Sequence, residues 1–326
     1  MPYRKIIIIP LILFHIAGCE QKKQFLKETM KNMVYVKGGT FEMGDFCVKE
    51  YGTHCALSNN NASLPVHSVT LDSFYMAKYK VTYSEYDHFT NDQSLPKLKI
   101  DQTWLKKYPS LRGDDYPATA NWQLSMDYCQ WLAKKTSLPF NLPTEAQWEY
   151  AARNRGQDTQ YGTNDGHFRV GINVPSYEQE KGYSGYYAGL YPVGKFPASP
   201  LGIFDMAGNG QEWMFDWFSD TFYQHSPAHN PTGPQLGIEK VLRGMPLGDS
   251  RKDDATPTAT TMFRTGKEPL LRIFPVDVLI KYNGDIRKAS ESEPKIDPYK
   301  VAEQGFFPNI TFRCVINAQS LPEKYR

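Results

Sequence analysis

The chain has 326 residues, with 37 basic and 35 acidic side chains and a net charge of +2. That near balance excludes a basic nucleic-acid-binding stripe and an acidic disordered tail as organising features. Aromatics at 14%, with 24 glycines and 23 prolines, point to a loop-rich globular domain with a sizeable core, and against a helical bundle or a low-complexity chain.

The N-terminus reads as an export signal over residues 1–18. "MPYRK" is a short positive segment, and "IIIIPLILFHI" is an apolar run short for a bilayer span. "IAGC" (Ile16 to Cys19) then resembles a bacterial lipobox, whose cysteine is lipidated and becomes the mature N-terminus. Acyl chains on Cys19 would hold the protein to a membrane, each buried methylene contributing roughly 0.8 kcal/mol. Residues 20–32, "EQKKQFLKETMKN", read as a polar tether leading to a domain over 33–318, with 319–326 a C-terminal tail. The expectation is a lipoprotein of the bacterial cell envelope, facing the periplasm.

Export places the cysteines in an oxidising compartment. Beyond Cys19 there are four, Cys47, Cys55, Cys129 and Cys314. Cys47 and Cys55 flank a short loop that a local bridge could close. Cys129 and Cys314 remain as a long-range pair or as two buried thiols, and the count alone leaves both open.

In chain order, "MVYVKGGTFEMGD" (33–45) predicts a hairpin around the Gly-Gly pair. "HSVTLDSFYMAKYKV" (67–81) alternates as strand, and Thr82 with Glu85 forms a capping box that opens a helix. A second helix is predicted over 123–136, with Met126, Cys129, Trp131 and Leu132 at helical spacing and Cys129 toward the core. In "LPTEAQWEYAAR" (142–153), Thr144 and Gln147 give another capping box, and Ala146, Tyr150 and Ala151 share a face. Residues 154–240 are turn-rich. "KVLRG" (240–244) and "NITFRCVI" (309–316) read as strands. The fold class is α+β, with few helices, short strands and much irregular structure.

Several stretches then carry a family likeness in order: "GGTFEMGD", "HSVTLDSFYMAKYKVTYSEYDHF", "YCQWL", "LPTEAQWEYAAR", "YPVGKFPASPLGIFDMAGNGQEWMFDWF", "VLRG" and "FRCV". Together they resemble the formylglycine-generating enzyme, or sulfatase-modifying factor, family over about 33 to 317. The resemblance implies that family's variant of the C-type lectin fold. It also implies a bridge between Cys129 and Cys314, which stand at the family's two cysteine positions.

Calcium takes about six to eight oxygen ligands, and glycine-containing turns supply carbonyls for it. The resemblance implies calcium at "DMAGNGQEW", through Asp205, Gly208, Gly210 and Glu212. It implies a second, weaker site at Asn173, Val174 and Tyr187, although Gly185 stands where that site's aspartate is expected.

The family's enzymes oxidise a substrate cysteine with copper held by two cysteines after the "VLRG" strand. Soft thiolates suit cuprous copper and carboxylates do not replace them. Here "RGMPLGDSRKDDATPTATTMFR" holds no cysteine, Met245 replaces a glycine, and Pro246 follows. No copper or iron is therefore expected. His225 and His229 are the one histidine pair at metal-like spacing, and Pro227 spoils their shared helical face. "SRKDD" offers instead a recognition loop at Met245, Asp249, Arg251, Lys252 and Asp253. The expected function is a lipid-anchored, non-catalytic protein binder. Its periplasmic protein partner is a toxic effector, which it neutralises as an immunity protein, or a secretion component. The alternative is an exported oxidase or protein-modifying enzyme. Sugar binding by the tyrosines of "GYSGYYAGLY" is a third reading, and the closed turn at Asp205 argues against it.

Overall fold

The Gly38-Gly39 pair does not turn a hairpin. β1 (Met33–Val36) and β2 (Gly39–Met43) enter different sheets of the computed structural model. β1 runs antiparallel to β4 (Phe74–Ala77), whereas β2 runs antiparallel to β3 (His67–Leu71). A Cβ at residue 38 would stand 2.2 Å from the Leu71 carbonyl oxygen and 2.6 Å from the Asp72 carbonyl carbon. The glycine thus serves a backbone-to-backbone crossing at the β3–β4 corner, and the alternating pattern on either side belongs to two ladders.

The described residues are 11–56, 62–184, 190–244, 259–272, 276–282, 285, 288, 292, 297–303, 305–306 and 309–325. The fold class is α+β as expected. β4 lies between β1 and β10 (Val315–Ile316), and β10 in turn pairs with β5 (Phe140–Asn141). A second four-stranded sheet has the order β8-β7-β6-β9, with β6 (Gln211–Trp217), β7 (Lys240–Arg243), β8 (Thr265–Lys267) and β9 (Ile310–Thr311). "NITFRCVI" therefore forms two short strands in two sheets. Between them, Phe312 and Cys314 accept hydrogen bonds from the amides of Val81 and Ala77, which ties the two sheets together.

Both capping boxes form. Thr82 caps α3 (Tyr83–Gln93) with Glu85 bonding back, and Thr144 caps α6 (Glu145–Ala152) with Gln147 bonding back. The helix expected over 123–136 is α5 (Trp122–Thr136), capped by Asn121, with Cys129 fully buried. Cys129 is bonded to Cys314, and Cys47 at the start of α2 (Cys47–Tyr51) is bonded to Cys55. One core lies between α3, α5 and the β4 sheet; the other surrounds α6, with Trp148, Met214 and Val241 at its centre.

Residues 20–32 are not a free tether. Residues 20–31 belong to α1 (Leu11–Lys31), which packs Phe25, Leu26 and Met30 against the α3–α5 core. Phe25 stacks on His88 with ring centroids 4.1 Å apart, and Lys22 meets Asp92 at 2.8 Å. Three apolar side chains on one helical face suffice to dock a segment whose composition is otherwise polar. At the other end, Leu321 is buried in the same core and Tyr325 packs against it. Among the described residues no helix is long and apolar enough to cross a membrane.

Candidate functional site

The Asp205–Glu212 turn is closed by backbone conformations that few side chains adopt. Asp205, Gly208, Asn209 and Gly210 have φ of 60°, 122°, 57° and 87°. The Asn209 side chain clamps the turn to Tyr191, accepting from its amide at 2.9 Å and donating to its carbonyl at 3.0 Å. The carbonyls of Gly208 and Gly210 consequently face inward. What they meet is the Lys80 ammonium, 2.9 Å from Gly208 O, also bonded to Gly210 O, and 3.4 Å from Glu212 Oε1.

Arg313 holds the same carboxylate from the other side, Nε to Oε2 at 2.6 Å and Nη2 to Oε1 at 2.9 Å. Lys80, Glu212 and Arg313 have no exposed side-chain surface. Burial pushes Lys80 down to about 8, against the opposing pull of Glu212. Burial also raises the Glu212 carboxyl, but Arg313 and Lys80 outweigh it and hold the group below its ordinary range. Asp205 is pushed up by burial; its Oδ2 accepts from the Gly194 amide at 2.9 Å and its Oδ1 has no hydrogen-bond partner.

The four residues expected to bind calcium are therefore brought together, but around a lysine. The carboxylates of Asp205 and Glu212 already face the cations Lys80 and Arg313. A further dication at this spot would leave buried positive charge without a counter-ion. The donor set does not fit calcium. At the second expected site, the Asn173 side chain is spent within its own turn. Its oxygen accepts from the Arg169 amide at 2.8 Å, and its nitrogen donates to Asn164, Asp165 and His167. Val174 is buried beside it, and Tyr187 and Gly185 lie outside the described residues.

The "VLRG" strand carries a charge network that sequence reasoning missed. Arg243, opposite Glu212 in the β6–β7 ladder, bonds Glu145 at 2.8 Å and Glu149 at 2.6 Å. Arg264 closes on both oxygens of Glu145 at 2.6 and 2.8 Å, and Arg153 bonds Glu149 at 3.0 Å. All five side chains are buried. Burial alone lowers the Arg243 and Arg264 guanidiniums and raises the Glu145 carboxyl, but the mutual attraction reverses each shift. The sequence signal was Glu at i and i+4 on a helix that also buries Trp148 and Tyr150.

Beyond this strand, the recognition-loop residues Met245, Asp249, Arg251, Lys252 and Asp253 lie outside the described residues. The chain leaves at Gly244, where a Cβ would stand 3.2 Å from the Trp148 ring, and returns at Ala259, packed on Val174 and Ala207. Both ends thus lie against the Met206–Gly210 turn. Val170, which bridges to Val174, and Ile172 are 44% and 64% exposed. On the β7–β8 side, Leu242, Phe263, Glu268 and Arg272 line an open cleft of about 600 Å³.

No thiolate is offered by Cys47, Cys55, Cys129 or Cys314, since each is in a disulfide. Asp45 lies within ligand range of the Cys47 and Cys55 sulfurs, but their mutual bond removes them as metal ligands. His225 and His229 are exposed on a loop, and His229 Nε2 approaches Asp72 at 3.4 Å. Cys19 falls within α1.

Irregular connections, short strands in three sheets, and a bridge from α5 to the C-terminal crossing define a fold that other chains share. It is similar to PvdO from Pseudomonas aeruginosa, with TM-score 0.58 and 20% identity over 87% of this chain and 93% of that one. It is also similar to Treponema denticola variable protein 1, with TM-score 0.55 and 17% identity over 88% and 95%. The sulfatase-modifying factor enzyme 1-like domain matches residues 19–268, and the chain belongs to that family.

Among curated relatives, the chain is 27% identical over 242 residues to serine/threonine-protein kinase Pkn1 of Chlamydia trachomatis serovar L2. That match covers 69% of this chain but 34% of the kinase, so the chain spans about a third of that relative's length. It is 26% identical over 271 residues to the formylglycine-generating enzyme of Streptomyces coelicolor, covering 70% of this chain and 82% of the enzyme. The family resemblance read from the sequence is borne out.

Proposed function

We propose that this chain is a lipid-anchored, periplasm-facing member of the family that binds a protein partner and performs no copper oxidation. The observation that carries the reading is the fate of the cysteines. Of five in the chain, four are joined in two disulfides and the fifth, Cys19, lies in α1, far in sequence from "VLRG". A cuprous site of this kind needs thiolates held together, and the segment after Arg243 supplies two thioethers, Met245 and Met262, and no cysteine. What stands there in the sequence instead is a charged run, Asp249 to Asp253, and among the described residues Val170 and Ile172 are exposed apolar side chains. Exposed apolar side chains accompanied by charged ones suit the apolar core and polar rim of a protein-recognition face. The partner class is an exported effector, which the chain neutralises as an immunity protein, or a secretion component.

A second reading, an exported oxidase or protein-modifying enzyme, has in its favour the enzyme name carried by the Streptomyces relative over most of that relative's length. One experiment separates the two. The full chain and an Arg251→Glu/Lys252→Glu variant are immobilised for partner capture from periplasmic extract, and both are assayed with copper on a cysteine-containing peptide. A partner held by the wild-type chain and lost by the variant, without peptide turnover, supports the binder. Conversion of the peptide cysteine to an aldehyde sinks it.

A further inference from the structure

We infer that Lys80 is a built-in cation, standing where the family resemblance places calcium, so that the Asp205–Glu212 turn is held without a metal. Three of the four groups expected as calcium ligands converge on its ammonium: Gly208 O at 2.9 Å, Gly210 O, and Glu212 Oε1 at 3.4 Å. An ammonium has three protons in a compact tetrahedral head and is satisfied by about three acceptors, whereas calcium takes about six to eight oxygens. The acceptors assembled here match the ammonium's appetite and fall short of calcium's.

The position of Lys80 is set by the frame that follows it. The next residue, Val81, is tied through its amide to Phe312 O at 2.9 Å, and its carbonyl accepts from the Ala118 amide at 2.7 Å. Thr82 then caps α3. The side chain has no exposed surface, so there is no solvent into which the ammonium could swing to admit an ion. Charge closes the argument. Asp205 and Glu212 are opposed by Lys80 and Arg313, and this balance is complete before any ion enters. The fourth expected ligand, Asp205, keeps one oxygen, Oδ1, without a hydrogen-bond partner. That is the oxygen an ion would recruit once the lysine were removed.

The inference is independent of what partner the chain binds, and its test does not use activity. The full chain is titrated with calcium by calorimetry, and its thermal unfolding is followed in excess chelator and in millimolar calcium. The wild-type chain should bind no calcium at this turn and show the same Tm in both. Lys80→Met should melt lower in chelator and regain several degrees with calcium, with one binding event per chain. Lys80→Gln, which keeps two donors in place of three, should fall between the two in chelator and supplies the comparison if the methionine variant does not fold. Calcium binding by the wild-type chain that is lost in Glu212→Gln, with a Tm that falls on chelation, overturns the inference. So does a folded Lys80→Met chain whose Tm ignores calcium.

Discussion

Arg313 grips both oxygens of Glu212 although 101 residues separate them, and the remaining guanidinium hydrogens reach Ala77 O at 3.2 Å and Phe204 O at 3.0 Å. One side chain thereby joins the start of β6, the end of β4 and the crossing between β9 and β10. The two four-stranded sheets meet at this ion pair, which explains why the C-terminal segment is divided between them.

Breaking the pair from one side should be severe. Arg313→Ala leaves Glu212 buried with Lys80 as its remaining cation, a change of about 3–5 kcal/mol for pairs of this kind. The urea midpoint should fall accordingly. Arg313→Met combined with Glu212→Gln removes both charges and should recover a substantial part of that loss. A single Arg313→Ala variant with an unchanged midpoint would show that the ion pair adds nothing to the fold.

The two disulfides differ in the chain they close, 185 residues for Cys129–Cys314 and 8 for Cys47–Cys55. In the chain-entropy description the longer loop stabilises by about 3 kcal/mol more. Replacing Cys129 and Cys314 by Ala should lower the unfolding free energy by more than replacing Cys47 and Cys55, with both measured by urea titration. Equal losses would show that local strain or denatured-state structure dominates over loop length.

The parts of this fold legible in the sequence are those whose partners are close along the chain. Thr82 with Glu85 and Thr144 with Gln147 announce helix starts because both halves of each motif lie within one turn. Lys80 and Gly208 are 128 residues apart, and Glu145 and Arg264 are 119 apart. Taken one at a time, such residues read as solvated charges, and nothing local marks them as buried. Gly38 misled for the same reason, since the backbone it approaches, at Leu71–Ser73, is the β3–β4 corner more than thirty residues later. The family motifs did place Asp205, Gly208, Gly210 and Glu212 together. They carried no account of the lysine facing them.

α1 should be releasable without unfolding the domain. Its docking rests on the Phe25–His88 stack and on Asp92, which accepts from Lys135 at 2.7 Å, Lys22 at 2.8 Å and the Trp131 indole at 2.9 Å. Burial raises the Asp92 carboxyl, but these donors prevail and hold it well below the usual carboxylate range. A depressed folded pKa stabilises above the unfolded value, near 4, and that contribution is lost as pH falls through the lower one. Limited proteolysis between residues 20 and 32 should therefore accelerate in acid, and Phe25→Ala should show the same cleavage at neutral pH with the main unfolding transition nearly unchanged. Cleavage in Phe25→Ala no faster than in the wild-type chain would mean that the ring does not hold the helix.

Asp216 sets a second pH dependence, of opposite sign. It is a buried residue of β6, its Oδ2 accepting from the Glu145 amide at 2.9 Å, with Glu145, Arg264 and Lys240 as its charged neighbours. Burial and then the Glu145 charge push it up to about 7, from an ordinary value of 3.8. A carboxyl that keeps its proton longer when folded favours the folded state below the unfolded pKa, and that contribution is lost as pH rises through the folded one. Stability should decline between about pH 4 and pH 7 by roughly 2–4 kcal/mol from this group. Lys240, wedged 4.0 Å from the Trp122 ring centroid and 3.8 Å from that of Trp217, is pushed down to about 8 by burial against the pull of Asp216. Its contribution changes only above that value and does not mask the acid-side slope. Asp216→Asn keeps an acceptor for the Glu145 amide and removes the titration. Urea unfolding across this range should show the decline in the wild-type chain and a flatter profile in the variant, which becomes the more stable of the two near pH 8. The same slope in both would assign the titration to another group.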